Sequence, residues 1–227
     1  MKKIPVGLIC QSGFFFMSPP DLRLGKGIDL GNACDVDFAD ALEYFEQDGD
    51  TKVIALHIEG MQEATRFLEV ARRVVCRKPI VALKAGRSEQ AAHAAQSHTG
   101  SLVGKDEIWD VAFKQCGIIR TDDLDEFADT VRAFSILPLL SGRKIGIVTW
   151  SGAVGIISID ACDKFGLELA QLSAATAGRV SSMPPSWQNI HNPVDIWPAI
   201  MVSKRPLLQV EAAFVKNLIS DEGVDAI

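Results

Sequence analysis

The sequence of 227 residues lacks the features that mark membrane, nucleic-acid-binding and secreted proteins. No apolar run approaches the ~20 residues of a transmembrane helix, and the first residues do not form a signal peptide. No stretch is rich in lysine and arginine, and the formal net charge is −6. This charge disfavours nucleic acid or an anionic membrane as the main partner. We therefore expect neither a nucleic-acid partner nor a membrane partner.

Cysteine and histidine also lack the spacings that indicate metal or redox sites. The five cysteines are scattered and form no CxxC pair, and the four histidines show no HxH or HExxH spacing. We expect no metal site, and we expect reduced, buried thiols in a cytoplasmic protein. The cysteines are Cys10, Cys34, Cys76, Cys116 and Cys162.

The residues that are present predict an α/β fold. Hydrophobic residues make up 48% of the chain, which indicates a packed core. Short apolar runs alternate with helical periodicity, so we expect mostly parallel sheets covered by helices. The predicted strands are Val6–Cys10, Val53–Ile58, Ile80–Lys84 and, more weakly, Ile118–Ile119. The predicted helices are Phe38–Phe45, Glu63–Cys76, Glu107–Cys116 and Leu124–Leu137.

A second pattern of the same kind begins after a break at residues 137–143. Pro138 and Ser141-Gly142 interrupt the helix there, and the chain then repeats an apolar strand that ends in Ser-Gly. We therefore predict two related domains, 1–138 and 139–227. Residues 223–227 read as the start of another strand. We therefore expect the second domain to be truncated and the natural polypeptide to continue.

Each domain has a Ser-Gly turn after its first strand. Ser151, Gly152 and Ala153 open a predicted helix, so their N–H groups and the helix end could bind phosphate. The alternative is an ordinary tight turn between strand and helix. Ser12 and Gly13 form the other candidate, but Pro19 and Pro20 leave almost no room for a regular helix behind it.

His98 is the candidate nucleophile. It lies between small and hydroxylated residues in a segment that follows a predicted strand, where an anion could approach the imidazole closely. The alternative is a histidine that only hydrogen-bonds within a loop. Lys84 and Arg87 precede this segment and could attract phosphate or be ordinary surface cations.

Glu59 is the candidate partner of His98. It ends one predicted strand, and the His98 segment follows the next, so both should lie at the carboxyl edge of the sheet. A carboxylate there could orient an imidazole and stabilise its cationic form. The alternative is that Glu59 caps the helix that starts near Glu63.

Together these runs resemble a known family, the NDP-forming acyl-CoA synthetases, which include ADP-forming acetyl-CoA synthetase and are relatives of succinyl-CoA synthetase. The resemblance covers nearly all of the chain. The matching runs are Gln11-Ser-Gly13, Leu30-Gly-Asn-Ala-Cys-Asp-Val-Asp37, residues 52–60, residues 78–88, Ser97-His-Thr-Gly-Ser101 and Asn192-Pro-Val-Asp195. It implies that this chain corresponds to two flavodoxin-like domains.

The resemblance implies a function and a set of site residues. His98 would be the phosphohistidine, Glu59 would hold its imidazole, and the two Ser-Gly turns would cradle phosphoryl oxygens. The reaction would convert acyl-CoA, phosphate and ADP into acid, CoA and ATP through an acyl phosphate. CoA and ADP or ATP with magnesium would be bound by other parts of the enzyme, and none firmly by this chain.

The same resemblance implies partners. These are a CoA-binding domain and ATP-grasp domains or a subunit, with acyl-CoA or acyl phosphate as ligand, and we expect an oligomer. The segment after Gln11-Ser12-Gly13 departs from the family, because it reads FFFMSPP where a full helix is usual. Two alternatives stay open: a regulatory or acetyltransferase-fused relative that binds CoA-linked ligands, and a scaffold subunit without catalysis.

Overall fold

The computed structural model describes residues 4–16, 24–91, 93–94 and 105–227. The chain forms two compact units, Met1–Pro138 and Leu139–Ile227. None of the helices in the described ranges is long and apolar enough to cross a bilayer.

The first unit is built on a parallel sheet of five strands in the order β2-β1-β3-β4-β5. The strands are β1 (Val6–Cys10), β2 (Lys26–Asp29), β3 (Val53–Ile58), β4 (Ile80–Lys84) and β5 (Ile119–Thr121). Every residue of β1 and β3 is buried, because helices cover both faces of the sheet. This is why these strands read as unbroken apolar runs in the sequence.

Helices divide between the two faces of this sheet. The helices are α1 (Phe38–Gln47), α2 (Ala64–Val75), α3 (Asp106–Cys116) and α4 (Leu124–Ile136). Residues 89–91 and 93–94 are also helical. Helices α1, α2 and α3 pack against one face of the sheet through Phe38, Phe67 and Phe113. Phe127 of α4 packs on the other.

The ends of these helices follow from their capping residues. Asp37 accepts from the Asp40 N–H at 2.9 Å, and the Asp40 carboxylate accepts from the Asp37 N–H at 3.0 Å. This reciprocal pair fixes the start of α1. Asp123 accepts from the Glu126 N–H at 2.8 Å at the start of α4. Gly117 ends α3 at a φ of 76°, a conformation that glycine adopts without strain.

The Ser-Gly turn after β1 leads into a 3-10 helix of four residues, Gly13–Phe16, and not into an α-helix. Phe15 is buried with its ring 4.3 Å from the His57 ring and 6.2 Å from the Phe127 ring. Phe16 covers Gly27, where an added Cβ would lie 2.2 Å from the ring. Aromatic packing against the sheet therefore holds this segment in place.

The second unit has two parallel strand pairs. They are formed by β6 (Lys144–Ile145) with β8 (Glu168–Leu169), and by β7 (Val148–Thr149) with β9 (Val194–Asp195). Its helices are α5 (Gly152–Lys164), α6 (Ala174–Ser181), α7 (Trp197–Val202) and α8 (Leu207–Ile219). Val194, Phe214 and Leu218 are fully buried in its core. On α5, by contrast, Ile156 and Ile157 are exposed.

One side chain joins the two strand pairs. The Asn192 amide nitrogen donates to the carbonyl of Ile145 at 2.8 Å and to that of Ala170 at 2.9 Å. Its Oδ1 accepts from the Ile147 N–H at 2.8 Å. Asn192 therefore provides hydrogen-bond partners for main-chain groups at both strand pairs.

The structure differs from three sequence-based expectations. Strand β2 was not predicted, because only Ile28 of its four residues is a large apolar side chain. Cys34 and Cys76 are exposed, so the expectation of buried thiols is wrong for these two. Near the C-terminus, Ala226 forms only an isolated parallel bridge with Ile145.

Candidate functional site

Three adjacent strands of the first unit end at one edge of the sheet, which we call the rim. Gln11 follows β1, Glu59 follows β3, and Lys84 is the last residue of β4. Glu59 therefore lies where the sequence predicts, at the carboxyl edge beside the strand that leads to the His98 segment. His98 itself lies outside the described residues.

The Glu59–Gly60 peptide is held by side chains from both neighbouring strands. Gln11 Oε1 accepts from the N–H of Glu59 at 2.8 Å and from that of Gly60 at 3.1 Å. Lys84 Nζ donates to the Glu59 carbonyl at 2.9 Å and also to the Ala85 carbonyl. Helix α2 begins after Glu63, which is the N-cap residue and makes no side-chain cap.

Lys84 is a buried cation at this rim, so the alternative of an ordinary surface cation is wrong for this residue. It is 2% exposed, and its Nζ lies 5.2 Å from the centre of the Trp109 ring. The pKa of Lys84 is lowered to about 8, chiefly by burial and also by the charge of Arg120, against the opposing effects of Asp106 and Glu59. The buried ammonium was not predictable because its partners are main-chain carbonyls.

Arg87 is neutralised by carboxylates. Its Nε lies 3.3 Å from Asp106 Oδ2, and its Nη1 pairs with Asp122. Asp106 also pairs with Arg120. The Arg87–Asp106 pair therefore links the chain that leaves β4 to the start of α3. With two carboxylate partners, Arg87 is a weaker candidate for phosphate than its sequence position suggests.

The Ser-Gly turn of the first unit has a carboxylate beside it. Ser12 Oγ accepts from the Phe14 N–H at 3.4 Å, and Gly13 is exposed. A Cβ added at Gly13 would lie 3.3 Å from Asp29 Oδ2. An anion at these N–H groups would therefore meet the charge of Asp29, with only the four-residue 3-10 helix behind it.

The Ser-Gly turn of the second unit opens a helix of 13 residues. Ser151 is the N-cap of α5, which begins at Gly152. Gly152 and Ala153 are exposed, and the first N–H groups of a helix have no intrahelical acceptor. Asp195 Oδ2 would lie 3.6 Å from a Cβ at Gly152. This turn therefore combines exposed donors, a helix end and a nearby carboxylate.

His57 is a buried imidazole that the sequence analysis did not single out. It lies on β3 beneath Phe15 and is 6% exposed. Its Nδ1 has no hydrogen-bond partner among the described residues. Burial, with the charge of Lys84, lowers the pKa of His57 to about 4. It is therefore neutral near pH 7.

A cavity of about 170 Å³ opens between the N-terminal ends of α1 and α2. Acidic residues dominate its charged lining, and Arg66 pairs with Asp37 and Asp40. A doubly charged phosphoryl group is disfavoured here by charge repulsion. The charged lining residues are Asp35, Asp37, Asp40, Glu63 and Arg66.

Within the described ranges, no cluster of three or more histidine, cysteine, aspartate or glutamate residues has a geometry that could hold a metal ion.

Comparisons with known proteins identify the first unit. Residues 3–134 match the family of succinyl-CoA ligase-like flavodoxin domains. Acetate–CoA ligase (ADP-forming) of Methanocaldococcus jannaschii is 41% identical over 84% of this chain and 28% of its own length. Subunit alpha of acetate–CoA ligase (ADP-forming) II of Pyrococcus furiosus is 41% identical over 86% of this chain and 44% of its own length. The chain therefore spans less than half of either relative.

Solved structures cover both units. Acetyl-coenzyme A synthetase 1 of Ca. Korarchaeum cryptofilum, in complex with phosphate and ADP, matches 99% of this chain and 49% of its own, with a TM-score of 0.86 and 29% identity. A Pyrococcus horikoshii protein matches 99% of this chain and 48% of its own, with a TM-score of 0.79 and 35% identity. These matches confirm the predicted fold class and family. The chain belongs to the succinyl-CoA ligase-like flavodoxin domain family, within the NDP-forming acyl-CoA synthetases.

Proposed function

We propose that this chain is the part of an ADP-forming acyl-CoA synthetase that carries the phosphoryl group on His98. The complete enzyme converts acyl-CoA, phosphate and ADP into a carboxylic acid, CoA and ATP. The observation that supports the proposal most strongly is the arrangement of strand ends at the rim. Glu59 follows β3, next to the end of β4 from which the chain runs toward His98. The activities of the two acetate–CoA ligase relatives support the reaction class.

The chemistry divides into three transfers. A phosphate oxygen attacks the thioester carbonyl, the C–S bond breaks, and CoA leaves with an acyl phosphate formed. An imidazole nitrogen of His98 then attacks the phosphorus, and the carboxylic acid leaves as its carboxylate. Finally a β-phosphate oxygen of ADP attacks the phosphorus, the N–P bond breaks, and ATP forms with neutral His98.

Glu59 assists because the imidazole becomes cationic as it takes the phosphoryl group. A carboxylate near it stabilises that charge and fixes the ring orientation. The N–H groups at Ser12-Gly13 and at Ser151, Gly152 and Ala153 are proposed phosphoryl ligands. The second turn is the stronger of the two, because α5 adds the positive end of a helix.

The proposal includes partners that lie outside these residues. We infer that CoA is bound by a CoA-binding domain and that ADP or ATP with magnesium is bound by ATP-grasp domains or a subunit. The Korarchaeum structure contains phosphate and ADP in a chain about twice as long as the matched region. We also propose that the assembled enzyme is oligomeric and cytoplasmic.

One observation favours a second candidate, a relative that binds partners without phosphoryl transfer. The Ser12-Gly13 turn has no α-helix behind it and has Asp29 beside it. Both features weaken phosphate binding at that turn. The same experiment separates this candidate from the first, because a scaffold does not take up phosphate.

The test is phosphorylation of the complete enzyme with ATP and magnesium, followed by mapping of acid-labile phosphate by mass spectrometry. We expect label on His98 and none in His98→Ala. Label on another residue, or equal label in His98→Ala, contradicts the phosphohistidine. Complete absence of acid-labile label in the wild type favours the scaffold.

Glu59→Gln tests the assisting carboxylate, because it preserves shape and removes charge. We expect phosphorylation of His98 to slow by tens-fold or more, about 10²-fold being typical of positioned electrostatic groups. A wild-type rate in Glu59→Gln would show that the carboxylate has no role in the transfer.

A further inference from the structure

Glu59 lies beyond the last residue of β3, yet the main-chain polar groups around it are hydrogen-bonded by buried side chains. Strand β3 ends at Ile58, whose carbonyl still accepts from the Ala85 N–H at 2.9 Å. Beyond it, the N–H groups of Glu59 and Gly60 have no strand to pair with. Gln11 replaces that strand, and a single Oε1 atom accepts from both groups.

Gln11 is itself in an unusual position for this residue type. It is 7% exposed, at the end of β1, directly before the Ser-Gly turn. Glutamine is mostly exposed in proteins, and burying an amide costs free energy unless it is hydrogen-bonded. The hydrogen bonds from the N–H groups of Glu59 and Gly60 therefore explain why the Gln11 side chain is buried.

Lys84 holds the same peptide from the other side. Its stem lies in the buried end of β4, and its ammonium donates to the carbonyls of Glu59 and Ala85. Within the described residues no carboxylate lies within 4.0 Å of its Nζ. A buried cation without a close counter-ion is costly, so the carbonyls and the Trp109 ring are its stabilising partners.

We propose that Gln11 and Lys84 are positioning residues, which fix the main chain of Glu59 and thereby the point from which its carboxylate extends at the rim. The inference rests on the proposed function. Three adjacent strands each contribute one member. Gln11 binds the N–H side of the peptide and Lys84 binds its carbonyl. Loss of either side chain frees one end of the Glu59 main chain to rotate, while the charge of Glu59 is retained.

The test uses Gln11→Leu and Lys84→Met in the complete enzyme, with acid-labile phosphorylation from ATP as the measurement. We expect each variant to lower the kcat of phosphorylation by about 10- to 100-fold, the loss typical of small misplacements of catalytic groups. We expect the KM for ATP to be unchanged, because neither residue is proposed to touch the nucleotide. Gln115→Leu and Lys114→Met, which alter exposed residues of α3, are the matched controls and should keep the wild-type kcat.

A double-mutant cycle with Glu59→Gln separates positioning from a general loss of stability. If Gln11 and Lys84 act through the Glu59 carboxylate, their substitutions have little further effect once that carboxylate is removed. Effects that multiply fully in the Glu59→Gln background would overturn the proposal. Hydrogen exchange gives a second readout, since the amides of Glu59 and Gly60 should exchange faster in Gln11→Leu while those of β1 and β3 stay protected. Unchanged exchange at these two amides would also overturn it.

These outcomes are distinct from failure of the proposed function. If the wild type carries no acid-labile phosphate, the proposed function itself is wrong. If Glu59→Gln is as fast as the wild type, the assisting role of the Glu59 carboxylate is wrong, and the positioning role falls with it. If Glu59→Gln is slow and both Gln11→Leu and Lys84→Met are fast, only the positioning role is wrong.

Discussion

The two Ser-Gly turns begin alike and are held in different ways. The first follows β1 and the second follows β7, and in each case an aspartate ends the strand that pairs with the strand before the turn. Cys10 is opposite Asp29 in one unit, and Thr149 is opposite Asp195 in the other. The first turn is fixed by aromatic side chains in a 3-10 helix, whereas the second is the start of a regular helix.

This difference shows that the Ser-Gly sequence alone does not determine the electrostatic potential at the turn. A helix of 13 residues places a partial positive charge at its first N–H groups, and a single 3-10 turn does so weakly. The first turn gains rigidity from Phe15 and Phe16, not from a hydrogen-bonded ladder. We therefore expect the two turns to respond to different substitutions.

The largest effect is expected for Phe15→Ala. This change removes a buried ring from its contacts with His57 and Phe127 and should cost about 3–5 kcal/mol of unfolding free energy. Phe14→Ala is the matched control. That ring is 52% exposed, and its loss should cost less than about 1 kcal/mol. Urea unfolding measures both, and equal losses would contradict aromatic anchoring of the first turn.

The second prediction concerns pH and the imidazole beneath Phe15. The pKa of His57 is about 4 in the folded chain and 6.5 in the unfolded reference, so only the unfolded chain binds a proton between these values. Stability should therefore fall as the pH falls from 6.5 to 4, by about 3 kcal/mol from this group. Unfolding free energies measured across this range should fall less in His57→Phe than in the wild type. Parallel curves would show that His57 does not titrate in this way.

The third prediction concerns the helix behind the second turn. A Cβ added at Gly155 would lie 3.0 Å from Pro193 Cβ, so Gly155→Ala should destabilise the second unit by about 1–3 kcal/mol. Gly178→Ala in α6 is the control, because no atom lies within 4 Å of its added Cβ. It should stabilise by about 0.5–1 kcal/mol through helix propensity. The same sign for both variants would mean that Gly155 does not set the packing of α5.

The smallest effect is expected for the aspartates beside the turns. Asp29→Asn and Asp195→Asn keep the Oδ1 acceptor for the N–H groups of Gly31 and Trp197. Each substitution removes a negative charge that repels phosphate. From the repulsion between unit charges about 4 Å apart in water, we expect phosphate to bind about five-fold more tightly. Titration of this chain with inorganic phosphate, followed by ³¹P NMR, measures the change. Unaltered affinity in both variants would show that phosphate does not bind near these carboxylates.

The fold was predictable where burial dictates the sequence. Strands β1, β3 and β4 match the predicted ranges because apolar residues fill both faces of a covered parallel sheet. Strand β2 lies at the sheet edge, where only every second residue is partly buried, so its sequence carries little signal. Helix ends were predicted to within about two residues, as is usual for caps read from sequence.

The candidate site was predictable only in part. The position of Glu59 follows from the rule that parallel strands end at one edge. Gln11 and Lys84 were not identified as its partners, because both contact main-chain atoms of residues far away in sequence. A long polar side chain gives no sequence signal of being buried, since the same residue types usually lie in solvent.

Asn192 has a consequence for the chemical durability of the second unit. Asparagines age by deamidation, in which the nitrogen of the next peptide attacks the side-chain amide. An aspartate at this position would lose the donors to the carbonyls of Ile145 and Ala170. The next residue is Pro193, whose nitrogen carries no hydrogen and is blocked from that attack. The side chain that joins the two strand pairs is therefore protected from this slow reaction by its own neighbour in the sequence.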